Sequence, residues 1–448
     1  VTTLPVSPVP DDLDAARGSG PARGPLGRLV AGSLVAGLLA ALLLAAAPFI
    51  PATESGVTGG LLLGFALGWA LLAVLSARFT SRPQGWAVAP ALFLGLSGLL
   101  LVVFGAPIRE ALAWVGPPAL LVLGVWMVGR IRRRLPGRGA RALLYPVIAL
   151  FVVASLAGGY ETVRGAVRAG SPPDHGRLID VGGHRLHLDC TGAGSPTVVL
   201  EPGAGLTSSD LVLIAPEVAQ DTRVCVYDRA GRGWSEAATA PQDAAQLTTD
   251  LHTLLQRGGE PGPYVLAGHS FGGLYALTFA ARYPEEVAGL VLVDSTAPDP
   301  APAPEPRPGS GAGSARPDDT TNRISALVAA AGRLGVGPLL GVESGDHLRS
   351  TVDEYLVAGS SMDQAAALRT FADKPLVVLT AGSGTRPGWS GSQDALAALS
   401  TNTLHRVVDG ATHGSLLGDE QDAARTARGI LDAVAAVRSG TRLTPDGQ

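Results

Sequence analysis

Charge is scarce in this chain: only 16% of its 448 residues are Asp, Glu, Lys or Arg, against about a quarter in ordinary soluble domains. Mean hydropathy is correspondingly high, at +0.28. That balance excludes a wholly water-exposed protein, so part of the chain must lie in lipid. Lysine is nearly absent, Lys374 being the sole example, and positive charge is carried by arginine. Together with 59 Gly and 34 Pro this reads as a coding bias and carries no function. The net charge is -4 and no basic cluster stands outside the apolar region, which excludes a nucleic-acid partner.

Five apolar runs, 29–50, 57–77, 86–106, 111–129 and 142–159, approach or exceed the roughly 18 to 20 residues that cross a hydrocarbon core. None has a charged side chain in its interior, so an intramembrane proton relay or ion site is not expected and anchoring is. Arginines mark alternate connections. They occur in the tail at Arg17, Arg23 and Arg28, in the second connection at Arg78 and Arg82, and in the fourth at Arg130, Arg132, Arg133, Arg134, Arg138 and Arg141. The first connection has only Glu54, and the third sets Arg109 beside Glu110. Basic loops stay in the cytoplasm, so five crossings place everything after residue 159 outside it. Signal-peptide cleavage near residues 45–47 would leave four spans and the same final side.

From residue 177 the pattern changes to short β-rich runs separated by glycine-rich turns and helical stretches, the alternation of a mostly parallel sheet covered by helices. Strands are predicted at 177–181, 184–190, 197–201, 223–227, 264–268, 289–293, 376–380 and 405–408, the first pair forming a hairpin around Gly182 and Gly183. The fifth strand ends in Gly268-His269-Ser270-Phe271-Gly272 with a helix following at once. This G-x-S-x-G string in a strand-turn-helix setting projects a serine hydroxyl at the sheet edge, while an ordinary glycine-rich turn is the plainer reading. A serine hydroxyl needs a base. His413, directly after the last predicted strand, is the candidate, in preference to His405 within that strand, His347 in a variable region, and His269, which points elsewhere.

With these residues the chain from about 178 to 438 resembles the α/β-hydrolase family. Val224 to Ser235 contains Asp228-Arg229-Ala230-Gly231-Arg232-Gly233-Trp234-Ser235, similar to the family's D-R-x-G-x-G-x-S stretch, and Glu201-Pro202-Gly203-Ala204-Gly205 resembles its oxyanion loop. The resemblance implies an eight-stranded sheet, a lid insertion at 295–373, and an oxyanion hole made by the backbone N–H groups of Phe271 and Ala204. It departs from the pattern at the acid: residues 381–388, after the seventh strand, contain no carboxylate. Asp294, closing the sixth strand, is the first candidate, and Asp394 is the rival, although either acid has a structural reading as a turn or helix-start residue.

The Pro-, Gly- and Ala-rich stretch 297–317 is expected to be disordered or extended, with lid helices at 323–333 and near 350–371. The only two cysteines, Cys190 and Cys225, fall on strands that neighbour each other in the family's sheet order; a disulfide and two buried thiols both fit. The expected organisation is a cytoplasmic tail at 1–28, an all-α transmembrane bundle at 29–159, a linker at 160–176, the hydrolase domain at 177–438 and a C-terminal tail at 439–448. The expected activity is hydrolysis of a small-molecule carboxylic ester or related acyl compound, at the lipid bilayer, without metal or organic cofactor. A serine at the elbow argues against relatives that open epoxides or cleave carbon–halogen bonds, which have aspartate there. Acyl transfer to an alcohol or lipid hydroxyl, and a silent ligand-binding membrane protein, are the alternatives; oligomeric state is left open.

Overall fold

The structure, a computed structural model, describes residues 25–135, 138–170, 175–298 and 318–444. The chain folds as two compact units. One is built from residues up to Ile50 with Gly59–Val153, the other from Pro51–Thr58 with the chain from Ala154 onward.

The apolar runs fold as helices, the form in which a backbone satisfies its own polar groups without water. They are α1 (Pro25–Ala46), α2 (Glu54–Phe79), α3 (Val88–Phe104), α4 (Ala106–Arg134) and α5 (Arg138–Gly170). All five are long and apolar enough to cross a membrane. Small residues let α1 and α2 approach closely: a Cβ added at Gly64 would lie 2.1 Å from the Ala41 nitrogen. Trp69 of α2 packs edge-on against Trp86, with ring centroids 5.9 Å apart, and lies 6.3 Å from Phe151 of α5. One expectation needs correction, because α5 continues through most of the stretch 160–176 assigned to a linker and ends at Gly170. No proline interrupts this stretch before Pro172, Glu161 and Arg164 pair one turn apart, and the helix runs through Gly165.

The second unit is built on an eight-stranded sheet of β1 (Arg177–Asp180), β2 (Arg185–Thr191), β3 (Thr197–Glu201), β4 (Val224–Tyr227), β5 (Tyr264–His269), β6 (Val287–Val293), β7 (Leu376–Ala381) and β8 (Thr403–Val408). Their order is β1-β2-β4-β3-β5-β6-β7-β8. Only β2 runs against its neighbours; β4, β3 and β5 to β8 pair in parallel. Strands β3, β5 and β7 are buried along their whole length, as expected of a parallel sheet covered on both faces.

Helices α6 (Ala215–Val218), α7 (Ala244–Gly258) and α8 (Phe271–Arg282) follow β3, β4 and β5. Four more, α9 (Asp319–Arg333), α10 (Val336–Leu339), α11 (Gly345–Leu356) and α12 (Ala358–Ala365), are inserted between β6 and β7. The fold ends with α13 (Trp389–Ala397), α14 (Ser415–Gly418) and α15 (Glu420–Ser439). One apolar core joins α7 and α8 to one sheet face through Leu254, Phe279, Leu266 and Leu290. A second joins α6 and α15 to the other through Val218, Ile430, Val265 and Val377. Cys190 and Cys225 are partners in the β2–β4 register and form a disulfide. The expected extended stretch 297–317 lies, from residue 299 on, outside the described residues, as do residues 1–24 and 445–448 of the tails.

Candidate active site

Strand β5 ends at His269 and α8 starts at Phe271, so Ser270 alone makes the turn. It does so at φ 53 and ψ -123, a region that a residue with a side chain occupies only when its surroundings hold it there. They do: the Ser270 N–H donates to the Val293 carbonyl at 3.2 Å, and its own carbonyl accepts from Gly273 and Thr296 N–H at 3.0 Å each. Two glycines bring the loop after β3 against this elbow. A Cβ on Gly272 would stand 2.2 Å from the Glu201 carbonyl oxygen, and one on Gly203 would stand 3.2 Å from Ser270 Cβ. The loop that contains Ala204 therefore touches the residue it is expected to assist.

Asp294 follows β6 directly and also has a positive φ, 43. Its buried carboxylate is fully engaged. Oδ2 accepts from His413 Nδ1 at 2.6 Å, while Oδ1 accepts from the Trp389 indole N–H at 2.7 Å and the Ala381 N–H at 3.1 Å. Burial pushes this carboxyl up, but the bonds from His413, Trp389 and Ala381 outweigh it and hold the group below the usual carboxylate range. An ionised Asp294 keeps the proton on Nδ1 of His413 and leaves Nε2 as an acceptor. His413 lies in the loop between β8 and α14 and is about half exposed. Asp394, the rival acid, is 67% exposed and pairs instead with His405 Nδ1 at 3.2 Å.

His269 departs from expectation. Rather than pointing elsewhere, its ring lies 4.4 Å from that of His413, and its Nε2–H donates to the His413 carbonyl at 2.9 Å. Burial, then the neighbouring His413, pushes its pKa down to about 4, so it stays neutral and adds no charge beside His413. The residue preceding the candidate nucleophile thus braces the loop that bears the candidate base. Neither this contact nor the Trp389 donor has a local sequence signal, since both arise where distant loops meet at one sheet edge.

The D-R-x-G-x-G stretch places two arginines in the protein interior. Arg229 and Arg232 are 2% and 0% exposed, and Arg229 lies 3.8 Å from Glu201. Asp228 accepts from Ser208 N–H at 2.8 Å, Trp234 N–H at 3.0 Å and His187 Nδ1 at 3.0 Å, which fixes the start of the stretch. The Glu201 carboxyl is raised to about 7, chiefly by burial, against the lowering effects of Arg229 and the Tyr227 hydroxyl. A carboxyl raised on folding holds a proton that the unfolded chain has released, so stability falls as pH rises between about 4.5 and 7. Glu201→Gln, which keeps an acceptor for Tyr227, is expected to flatten that slope, worth about 3 kcal/mol for a group so fully buried. Thermal midpoints measured from pH 5 to 8 check it; an unchanged slope rules it out.

Cys190, Cys225 and Glu260 lie close enough together to hold a metal ion, but the two sulfurs are bonded to each other and offer no thiolate.

The sheet order, the strand-elbow-helix turn and the insertion before β7 are those of the α/β-hydrolase fold, and residues 196–351 match the family described as alpha/beta hydrolase fold. The domain that follows the apolar helices has the α/β-hydrolase fold and is similar to proteins of that family. Among its relatives, an uncharacterized protein of Schizosaccharomyces pombe is 29% identical over 275 residues, covering 53% of this chain and 51% of that protein. The 2-hydroxymuconate semialdehyde hydrolase of a Pseudomonas species is 36% identical over 125 residues, covering 28% of this chain and 44% of the enzyme. The chain thus spans about half the length of the first relative and less of the second. The enol-lactonase structure from Burkholderia xenovorans aligns with 58% of this chain and 99% of its own, at 20% identity and a TM-score of 0.42.

Proposed function

We propose that the protein is a membrane-anchored serine hydrolase that cleaves carboxylic esters or related acyl compounds. The observation that carries the reading is the 2.6 Å contact between His413 Nδ1 and a buried, ionised Asp294, beside a serine held in a strained elbow. Ser270 Oγ attacks the substrate carbonyl carbon as His413 Nε2 takes the hydroxyl proton. The carbonyl electron pair moves onto oxygen and is met by the N–H groups of Phe271 and Ala204. Among the described residues neither N–H donates to another protein group, which suits donors reserved for a substrate. Collapse of the intermediate breaks the bond to the leaving alkoxide, which takes the proton from His413. A water molecule, deprotonated by His413, then attacks the acyl-enzyme and releases the acid. The hydrolase name of a relative supports water as acceptor over an alcohol. Membranes containing the protein are expected to label with a fluorophosphonate probe, and those containing Ser270→Ala are not; a folded, unlabelled wild type would sink the proposal.

The same reading places the hydrolase domain outside the cytoplasm. Alternation of arginine-rich and arginine-poor connections supports it, as does a disulfide in that domain, since such bonds persist in oxidising compartments. Protease added to intact cells is expected to remove the domain while leaving the apolar helices. Full protection of the domain, with digestion only after lysis, would reverse the orientation.

A further inference from the structure

One face of helix α11 is built for the oxyanion loop. His347, Ser350, Thr351 and Glu354 recur at the three- and four-residue spacing that aligns side chains along a helix. His347 Nε2 donates to the Gly205 carbonyl at 2.7 Å, Ser350 Oγ accepts from Arg232 Nε at 3.1 Å, and Thr351 abuts Gly205. Glu354 is the centre of the arrangement. Its Oε2 accepts from the Gly205 N–H at 3.1 Å and pairs with Arg232 Nη2 at 2.5 Å; its Oε1 accepts from the Tyr275 hydroxyl at 3.1 Å and pairs with Arg229 Nε at 2.9 Å.

The two arginines complete a clamp on the same loop. Arg229 donates to the carbonyls of Pro202 and Gly203 at 2.7 and 2.5 Å, and Arg232 to that of Leu206 at 3.2 Å. Residues 202, 203, 205 and 206 are thereby fixed, and Ala204 lies between them with its N–H uncommitted among the described residues. The next residue on α11, Tyr355, sets its ring 5.4 Å from that of Phe271, whose N–H is the other expected donor. Adjacent residues of one inserted helix therefore hold both oxyanion segments, one through a buried carboxylate and one through an aromatic contact.

Resting on the serine-hydrolase reading, we infer that Glu354 and Tyr355 are positioning residues for the oxyanion hole, so that turnover depends on α11 being seated on the loop. An enzyme of this design is catalytically complete only with its insertion docked. The insertion is part of the transition-state machinery as well as a pocket wall.

The test uses the full chain in detergent with p-nitrophenyl butyrate. Glu354→Asp keeps the charge between the arginines but withdraws the carboxylate by one methylene, and is expected to lower kcat by about 10- to 100-fold, a fraction of the full loss of a donor, with KM within about twofold. Tyr355→Ala, at an exposed position, keeps the fold testable if Glu354→Asp misfolds; it is expected to lower kcat about threefold to tenfold, and Tyr355→Phe to recover most of that loss. Affinity for a trifluoromethyl ketone, whose adduct places an oxyanion in the hole, should fall in step with kcat/KM. Unchanged kcat in both folded variants, or a kcat loss without loss of ketone affinity, overturns the inference while leaving the nucleophile assignment intact. If wild type itself neither labels nor turns over, the serine-hydrolase reading falls, and with it the catalytic role inferred for α11. Hydrogen exchange at residues 203–206 gives a structural check: it should quicken in Glu354→Asp, and unchanged exchange counts against the clamp.

Discussion

Ser270→Ala is expected to lower kcat/KM for a simple ester by at least about 10,000-fold, with substrate affinity nearly unchanged and the thermal midpoint preserved. The elbow is held by backbone hydrogen bonds to Val293, Gly273 and Thr296, none of which involves the hydroxyl. His413→Ala should cost a similar factor. The double variant should be no worse than either single one, because a nucleophile without its base and a base without its nucleophile fail at the same step. Additive losses would mean that the two side chains act independently and would overturn the coupled mechanism.

The second large effect is expected at the acid. Asp294→Asn keeps the shape but replaces an acceptor with an amide, and an amide N–H facing His413 Nδ1 favours the tautomer protonated on Nε2. That form has no lone pair for the serine proton, and a loss of about 10,000-fold in kcat follows from the wrong tautomer. Asp394→Asn, at an exposed site paired with His405, is expected to leave kcat within about twofold. The opposite ranking would move the acid to Asp394 and require the β7–α13 loop to rearrange. Protonation of Asp294 has the same sign as the amide replacement. Its carboxyl is held low by hydrogen bonds to the charged form, so this contribution to activity should survive to mildly acidic pH and fade only when pH falls below the ordinary carboxylate range.

Local patterns were enough to reveal the strands, since each is a short apolar run between turn residues; β3 and β5 start and end within one residue of expectation. The elbow was legible because its chemistry is contiguous in sequence. What escaped lies in long-range meetings: Trp389 on Asp294, His269 on His413, and Glu354 on Gly205 join residues far apart in the chain or on different elements. Arg229 and Arg232 were visible as part of a motif, but the carboxylate that pairs with both, Glu354, comes from an inserted helix far along the chain. The end of α5 was misplaced for another reason. Hydropathy marks where an apolar run ends, whereas a helix can continue through polar residues until a proline approaches, and none stands between Gly159 and Pro172.

Ser270 and Asp294 each follow the last residue of adjacent parallel strands, whose partners in register are His269 and Val293. The separation of the proposed nucleophile and acid is therefore inherited from the interstrand spacing of about 4.8 Å, a constant of β structure that no surface substitution alters. Only His413, the proposed base, arrives on a loop. Such a division leaves the inserted helices free to change composition over evolutionary time only away from the face of α11 that carries Glu354 and Tyr355, while the strand ends that carry Ser270 and Asp294 stay anchored in the part of the molecule least able to drift.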